Sequence, residues 1–143
     1  MKRATTDTLY FSTGPANKPT LRVEPGEVFE IQTQINRGPW LDAHPDRETL
    51  EKKLTGGNPS SGCIYVESAR PGDMLSVEIL DIRLDDMGYT QYTGQPAAFP
   101  NWNRHEGFGR QFQIVKIKDN QILWSDDIQL PAKPMLGFVG VAP

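Results

Sequence analysis

Residues 56–67 read Gly56-Gly57-Asn58-Pro59-Ser60-Ser61-Gly62-Cys63-Ile64-Tyr65-Val66-Glu67. Seven small or turn-forming residues run directly into an apolar, β-prone segment. Bare backbone of this kind lets another group come close, at a cost in chain entropy. Either a substrate or another stretch of main chain approaches at this point, and the rest of the sequence bears on which.

Working outward, Arg70-Pro71-Gly72-Asp73 follows the strand, and Glu24-Pro25-Gly26-Glu27 precedes another one upstream. Pro then Gly suits the two central positions of a type II turn. After the first pair, Phe29, Ile31, Thr33 and Ile35 alternate with Glu30, Gln32 and Gln34, which predicts a strand with one wet face. After the second, Leu75, Val77 and Ile79 share one phase and Leu80, Ile82 and Leu84 the other. A period of two cannot slip without an extra residue, so a bulge near Ile79-Leu80, or a strand leaving one sheet for another, is expected. Phe112 and Ile114 followed by Val115 and Ile117 predict a second slip. Asp119-Asn120 reads as a turn into Ile122-Leu123-Trp124. One short helix is expected from Pro45 to Gly56, held by Leu50 and Leu54. The two copies of the Pro-Gly device form a weak echo and not a repeat array. The fold class that follows is mainly β: a bent-strand β-sandwich or barrel-like domain with one short helix, in a single domain over 1–143.

Two segments do not fit regular strands. Residues 87–110 carry Tyr89, Tyr92, Phe99, Trp102 and Phe108 among Gly and Pro without a period. A loop this long is usually functional, and its aromatics need an apolar destination. The chain also finishes on Leu136-Gly137-Phe138-Val139-Gly140-Val141-Ala142-Pro143. Termini are normally polar and frayed, so this apolar stop predicts further chain, or another subunit, against it.

The composition narrows the class. The net charge of -3 argues against a phosphate-backbone binder, so no nucleic-acid partner is expected. A single cysteine excludes an internal disulfide and a multi-cysteine zinc site. The opening residues carry no apolar run, and no segment reaches the length of a membrane span. The expectation is a cytoplasmic protein with no membrane partner.

Several residues could carry chemistry. Cys63 could be a nucleophile beside His44 or His105, but it opens an apolar strand, where a small buried hydrophobe is commoner. Asp42, His44 and Asp46 cluster, yet their spacing matches no strong metal signature, and capping a helix start is the favoured reading. His105-Glu106 reads as a solvated pair or as acid-base groups. Glu67 and Asp73 read either as strand-end and turn residues or as a ligand or base beside a Gly-rich loop. The Ser60-Ser61-Gly62 run is neither a nucleophile elbow nor a phosphate loop.

The run Asn58-Pro59-Ser60-Ser61-Gly62-Cys63-Ile64-Tyr65-Val66-Glu67-Ser68-Ala69-Arg70-Pro71-Gly72-Asp73 resembles the acetamidase/formamidase family. Members carry NP, two small residues and then GPIYVEGAEPGD before an apolar strand. Leu21-Arg22-Val23-Glu24-Pro25-Gly26-Glu27 is similar to the family's N-terminal strand entry, and residues 134–143 to its PMIGVIGVAP segment. The resemblance runs from about Pro19 to Pro143. It implies a β-rich fold and metal-associated hydrolysis of short linear amides, of the formamide or acetamide type, to carboxylate and ammonia. It also implies an N-terminal half, because in members PMIGVIGVAP lies at a midpoint. A later Gly-Asp-x-His…Gly-Asp-Gly-Glu segment, absent here, would supply metal ligands and base. The sequence departs from the pattern at Asn36, where members have Asp, at Cys63, where they have Pro, and at Ser68, where they have Gly.

On this resemblance the candidate catalytic residues are Glu67 and Asn36, and the candidate substrate-binding residues are Asn58, Ser60, Ser61, Gly62 and Trp102. No metal ligand is assigned within the chain. A divalent metal, zinc by preference, would have its ligands mostly outside it, on a C-terminal half or second subunit in a homo- or hetero-oligomer. Main-chain N–H groups at residues 57–62 could face a small polar substrate or an oxyanion, or the loop could pack against the missing half. The alternative is a non-catalytic β-domain that binds a small ligand or protein through the aromatic loop 87–110.

Overall fold

The computed structural model of the chain describes residues 1–36, 52, 55–92 and 111–141, without the side chains of 91, 92, 111 and 112. These residues fall into two compact units, one holding the residues up to Leu80 together with 137–141 and the other running from Asp81 to Leu136.

The first unit is built from parallel strand pairs. β1 (Lys2–Ala4) pairs with β3 (Phe29–Ile31), and β2 (Pro19–Val23) with β4 (Cys63–Val66). Both expected type II turns are present. Glu27 N–H donates to the Glu24 carbonyl at 3.0 Å, and Asp73 N–H to that of Arg70 at 3.0 Å. Gly26 has φ +79° and Gly72 φ +98°, the left-handed geometry that the third turn position demands. Each turn carries the same side-chain lock: the carboxylate of Glu27 accepts the Glu24 N–H at 2.9 Å, and that of Asp73 the Arg70 N–H at 2.8 Å. Lys2 ties the first turn down, donating to Glu27 at 2.8 Å and to the Arg22 carbonyl at 2.9 Å. Ala4 and Val23, 1% and 2% exposed, form the core of this unit.

The second unit is an antiparallel meander in the order β5-β6-β7-β8, with β5 at Met87–Tyr92, β6 at Gln111–Lys118, β7 at Gln121–Leu123 and β8 at Gln129–Pro131. Asp119 and Asn120 form the expected two-residue turn between β6 and β7. Their φ values of +50° and +58° match the primed turn whose twist suits a hairpin. Val115 is buried, and Gly88 lies beside it, since a Cβ there would stand 3.9 Å from Val115 and 3.6 Å from Ile117. The Gln113 side chain donates to the Trp124 carbonyl.

The chain is therefore mainly β, and among the described residues the sheets stay open, with none closed into a barrel. Several expected details are corrected. The strand after Gly26 ends at Ile31 and does not reach Ile35. β6 keeps one register against β5 and β7, with Val115 inward and Ile114 exposed, so the second slip is absent. Regular ladder bonds on both sides hold β6 to one phase. The bulge appears in β2 instead, between Pro19 and Leu21. Residues 87–92, read as part of an aperiodic loop, form β5, because β6 offers the backbone partner that their β-prone Tyr and Thr side chains suit. The rest of that loop, and the helix expected from Pro45, lie outside the described residues apart from Lys52 and the residues at and beyond Thr55.

Residues 74–84, expected as a bent strand, pair with nothing among the described residues. Alternation supplies a propensity, but a strand exists only where a neighbour takes its main-chain groups. Met74 is 97% exposed, and Leu75, Val77, Ile79 and Leu80 are exposed as well. The carboxyl-terminal run behaves alike, with Phe138 81% exposed and Val139 and Val141 also open. Each such side chain forgoes about 1.5–3 kcal/mol that full burial would supply.

Candidate functional site

The loop from Gly56 to Gly62 leads into β4 and is fixed from three sides within the first unit. Tyr10 pins its end: the Tyr10 and Ser60 main chains exchange N–H···O bonds of 2.9 and 2.8 Å. Thr20, the extra residue of the β2 bulge, donates its hydroxyl to the Ser61 carbonyl at 3.2 Å. Opposite it, Gly62 has φ +133°, and a Cβ there would come within 1.9 Å of Thr20 Oγ1. This answers the question raised by the bare backbone at Gly62: the group that comes close is the chain's own β2.

The third anchor is Asn36. Its Oδ1 accepts the Asn58 N–H at 2.8 Å, and its Nδ2 donates to Asn58 Oδ1 at 3.0 Å. Asn58 sits at φ +51°, a conformation that asparagine tolerates better than most side chains. Because its Oδ1 and its own N–H are both taken by Asn36, Asn58 presents its Nδ2 donor without a partner among the described residues. The structure thus brings two sequence-predicted residues together as a reciprocal amide pair at the surface.

Ser61 is 4% exposed, the one buried polar residue among those described. Its hydroxyl has no hydrogen-bond partner among them, although a buried hydroxyl left unpaired costs about 1–3 kcal/mol. Ser60 is exposed, and its hydroxyl reaches only the Gly62 carbonyl, at 3.4 Å. Trp102 lies outside the described residues.

Glu67 follows β4 directly. Arg22, on the neighbouring β2, donates to both of its carboxylate oxygens, at 2.7 and 3.2 Å. The guanidinium also stacks 3.9 Å over the Tyr65 ring. The hydrogen bond from Arg22, more than its charge, holds the Glu67 carboxyl below the ordinary carboxylate range, and Glu67 raises Arg22 in return. Main-chain pairing continues here, with Glu67 N–H on the Val23 carbonyl at 2.8 Å. A carboxylate so engaged stays ionised and accepts hydrogen bonds; taking up a proton would break the ion pair. Arg22 and Tyr65 were missed in the sequence. Their register, with Arg22 opposite Tyr65 across β2 and β4, is visible only once the strands are paired.

Cys63 is free and half-buried. Neither His44 nor His105 lies among the described residues. No group of three or more His, Cys, Asp or Glu side chains that could hold a metal forms among the described residues, and Glu67 is already neutralised by Arg22. Among the described residues, therefore, no donor set fits a metal centre. None of the described helical residues belongs to a helix long and apolar enough to cross a membrane.

Comparison with known proteins agrees with the fold and extends it. A search of curated proteins gave no match. An acetamidase from Bacillus halodurans has a crystal structure that superposes with a TM-score of 0.72 at 23% identity, covering 99% of this chain and 46% of its own. The crystal structure of a predicted acetamidase/formamidase from the thermophile Thermoanaerobacter tengcongensis gives 0.77 at 29% identity, with the same coverage of 99% and 46%. The chain thus spans under half the length of these structures. The family model that matches covers residues 9–143, which includes the loop, β4 and both Pro-Gly turns. By that match the chain belongs to the Acetamidase/Formamidase family.

Proposed function

We propose that the chain is the amino-terminal half of an amide hydrolase that converts short linear amides, of the formamide or acetamide type, to carboxylate and ammonia. The observation that carries this reading is the fixed loop 56–62 in a family member, which offers an oriented amide donor at Asn58. Hydrolysis would need a second polypeptide segment, either the C-terminal half of the protein or another subunit in a homo- or hetero-oligomer. That segment would supply the base and a divalent metal, zinc by preference. The cytoplasm is the compartment proposed.

In this reading the chain's own residues bind and orient. Asn58 Nδ2–H donates to the substrate carbonyl oxygen, and the same bond strengthens as charge develops on that oxygen. Asn36 keeps the donor aimed, which lowers the reorganisation that the reaction requires. The hydroxyls of Ser60 and Ser61 and the main chain at Gly62 line the same loop, with Trp102 as a further contact. Glu67, held ionised by Arg22 beyond the far end of β4, serves in this reading as a hydrogen-bond acceptor and not as a proton donor.

The test is ammonia release from formamide and acetamide, by the chain alone and by the chain mixed with a carboxyl-terminal family half. Release in the mixture, lost on Asn58→Ala, is expected. No ammonia under either condition overturns the proposal.

A further inference from the structure

Residues 74–80, Met74-Leu75-Ser76-Val77-Glu78-Ile79-Leu80, make no main-chain hydrogen bond among the described residues. All of them are exposed. Apolar and polar residues alternate along it in sequence, so that in an extended chain Leu75, Val77 and Ile79 would share one row. An unpaired row of N–H and C=O groups beside exposed apolar side chains is a template for strand addition.

The first unit contains its own precedent. The turn at Pro25-Gly26 and the turn at Pro71-Gly72 share the same backbone bond, the same left-handed glycine and the same carboxylate lock. They follow β2 and β4, which lie side by side in parallel. The segment after the first turn is β3, and it is covered in parallel by β1. The segment after the second turn has no counterpart to β1 among the described residues. In the same unit, Phe138, Val139 and Val141 are also exposed.

We propose that residues 74–80 are a sheet edge completed by a strand of the polypeptide segment that matches the remainder of the family structures, of which this chain covers 46%. This rests on the reading that such a segment completes the protein. The occupant is an extended strand whose alternate side chains are apolar, set against Leu75, Val77 and Ile79, with a Lys or Arg beside Glu78. Affinity comes from main-chain bonds, and the alternate side chains fix the register.

The experiment is hydrogen–deuterium exchange on the full chain. It is done alone at two concentrations and mixed with the carboxyl-terminal part of the Thermoanaerobacter tengcongensis protein. Alone, the amides of residues 75–80 should exchange as freely as an unbonded chain. In the mixture they should slow by at least about tenfold. Val77→Pro, which removes one donor at an exposed position, should leave the exchange of the chain alone unchanged and abolish the slowing. Failure of the two polypeptides to associate, or association that leaves these amides fast, overturns the proposal. Slowing in the chain alone that grows with concentration makes a second copy the occupant and also overturns it. Protection without ammonia release would sink only the catalytic reading, and ammonia release without protection only the edge.

Discussion

Arg22 grips Glu67 with two hydrogen bonds, at 2.7 and 3.2 Å, from one strand of a parallel pair to the end of the other, while its guanidinium lies over Tyr65. The contact joins chain segments far apart in sequence and caps the β2–β4 ladder where it ends. It also holds the Glu67 carboxylate ionised.

That charge state has a pH signature. The Glu67 and Glu27 carboxyls are both lowered, the first chiefly by its hydrogen bond from Arg22 and the second chiefly by that from Lys2. Their stabilisation is complete above the ordinary glutamate value of about 4.3 and is lost as pH falls through their lower folded values. Glu67→Gln should flatten the stability loss in that acid window and change its slope little at neutral pH. Urea unfolding at a series of pH values measures this, and an unchanged acid slope would remove Glu67 from the account.

Gly62→Ala should destabilise the chain by about 2 kcal/mol or more, because a side chain meets both the strained φ and the Thr20 hydroxyl. Pairing it with Thr20→Ala should recover only part of the loss, since the backbone strain stays. Full recovery in the double variant would show that collision alone decides the position.

Ser68 holds φ +62° where glycine would pay no steric penalty. Ser68→Gly should therefore be neutral to stabilising, by up to about 1 kcal/mol, despite the greater freedom glycine brings to the unfolded chain. Thermal unfolding of the variant tests it; a drop in stability would mean that the serine side chain makes up for its conformation.

Asn36→Ala frees the Asn58 side chain and removes the two hydrogen bonds between the pair, and about 1 kcal/mol of stability should go with them. In the reconstituted hydrolase the larger effect should fall on kcat, because a donor that must be re-aimed costs more in the transition state than in binding. Equal effects of Asn36→Ala and Asn58→Ala on KM alone would argue against a positioning role.

The local chemistry of the fold was readable in the residues. Pro25-Gly26, Pro71-Gly72 and Asp119-Asn120 each form the turn that their φ preferences dictate, because a turn needs only its own residues. The loop before β4 was legible as a close-approach site for the same reason. Strand extents were not. Leu75, Val77 and Ile79 alternate as cleanly as Phe29 and Ile31, yet among the described residues only the latter find a neighbour, and nothing in a strand's own sequence names its partner. Ile114 misled the phase of β6 because an apolar side chain can stand on the exposed face of a sheet that is covered on one side. In the loop, Asn36 and Asn58 were each legible as candidates, but their mutual grip, like that of Arg22 on Glu67, depends on segments brought together only by the fold.

The parallel pairing of the first unit sets an order of events during folding. β5 through β8 are consecutive antiparallel neighbours, and the β6–β7 hairpin closes on two residues. In contrast, β2 cannot meet β4 until the chain from Leu21 to Ile64 has been gathered into a loop, with its entropy spent before any ladder bond returns it. In refolding from the unfolded chain the meander should form early and the Arg22–Glu67 grip late, whereas on a ribosome both partners of the grip emerge ahead of Met87 and the order can reverse.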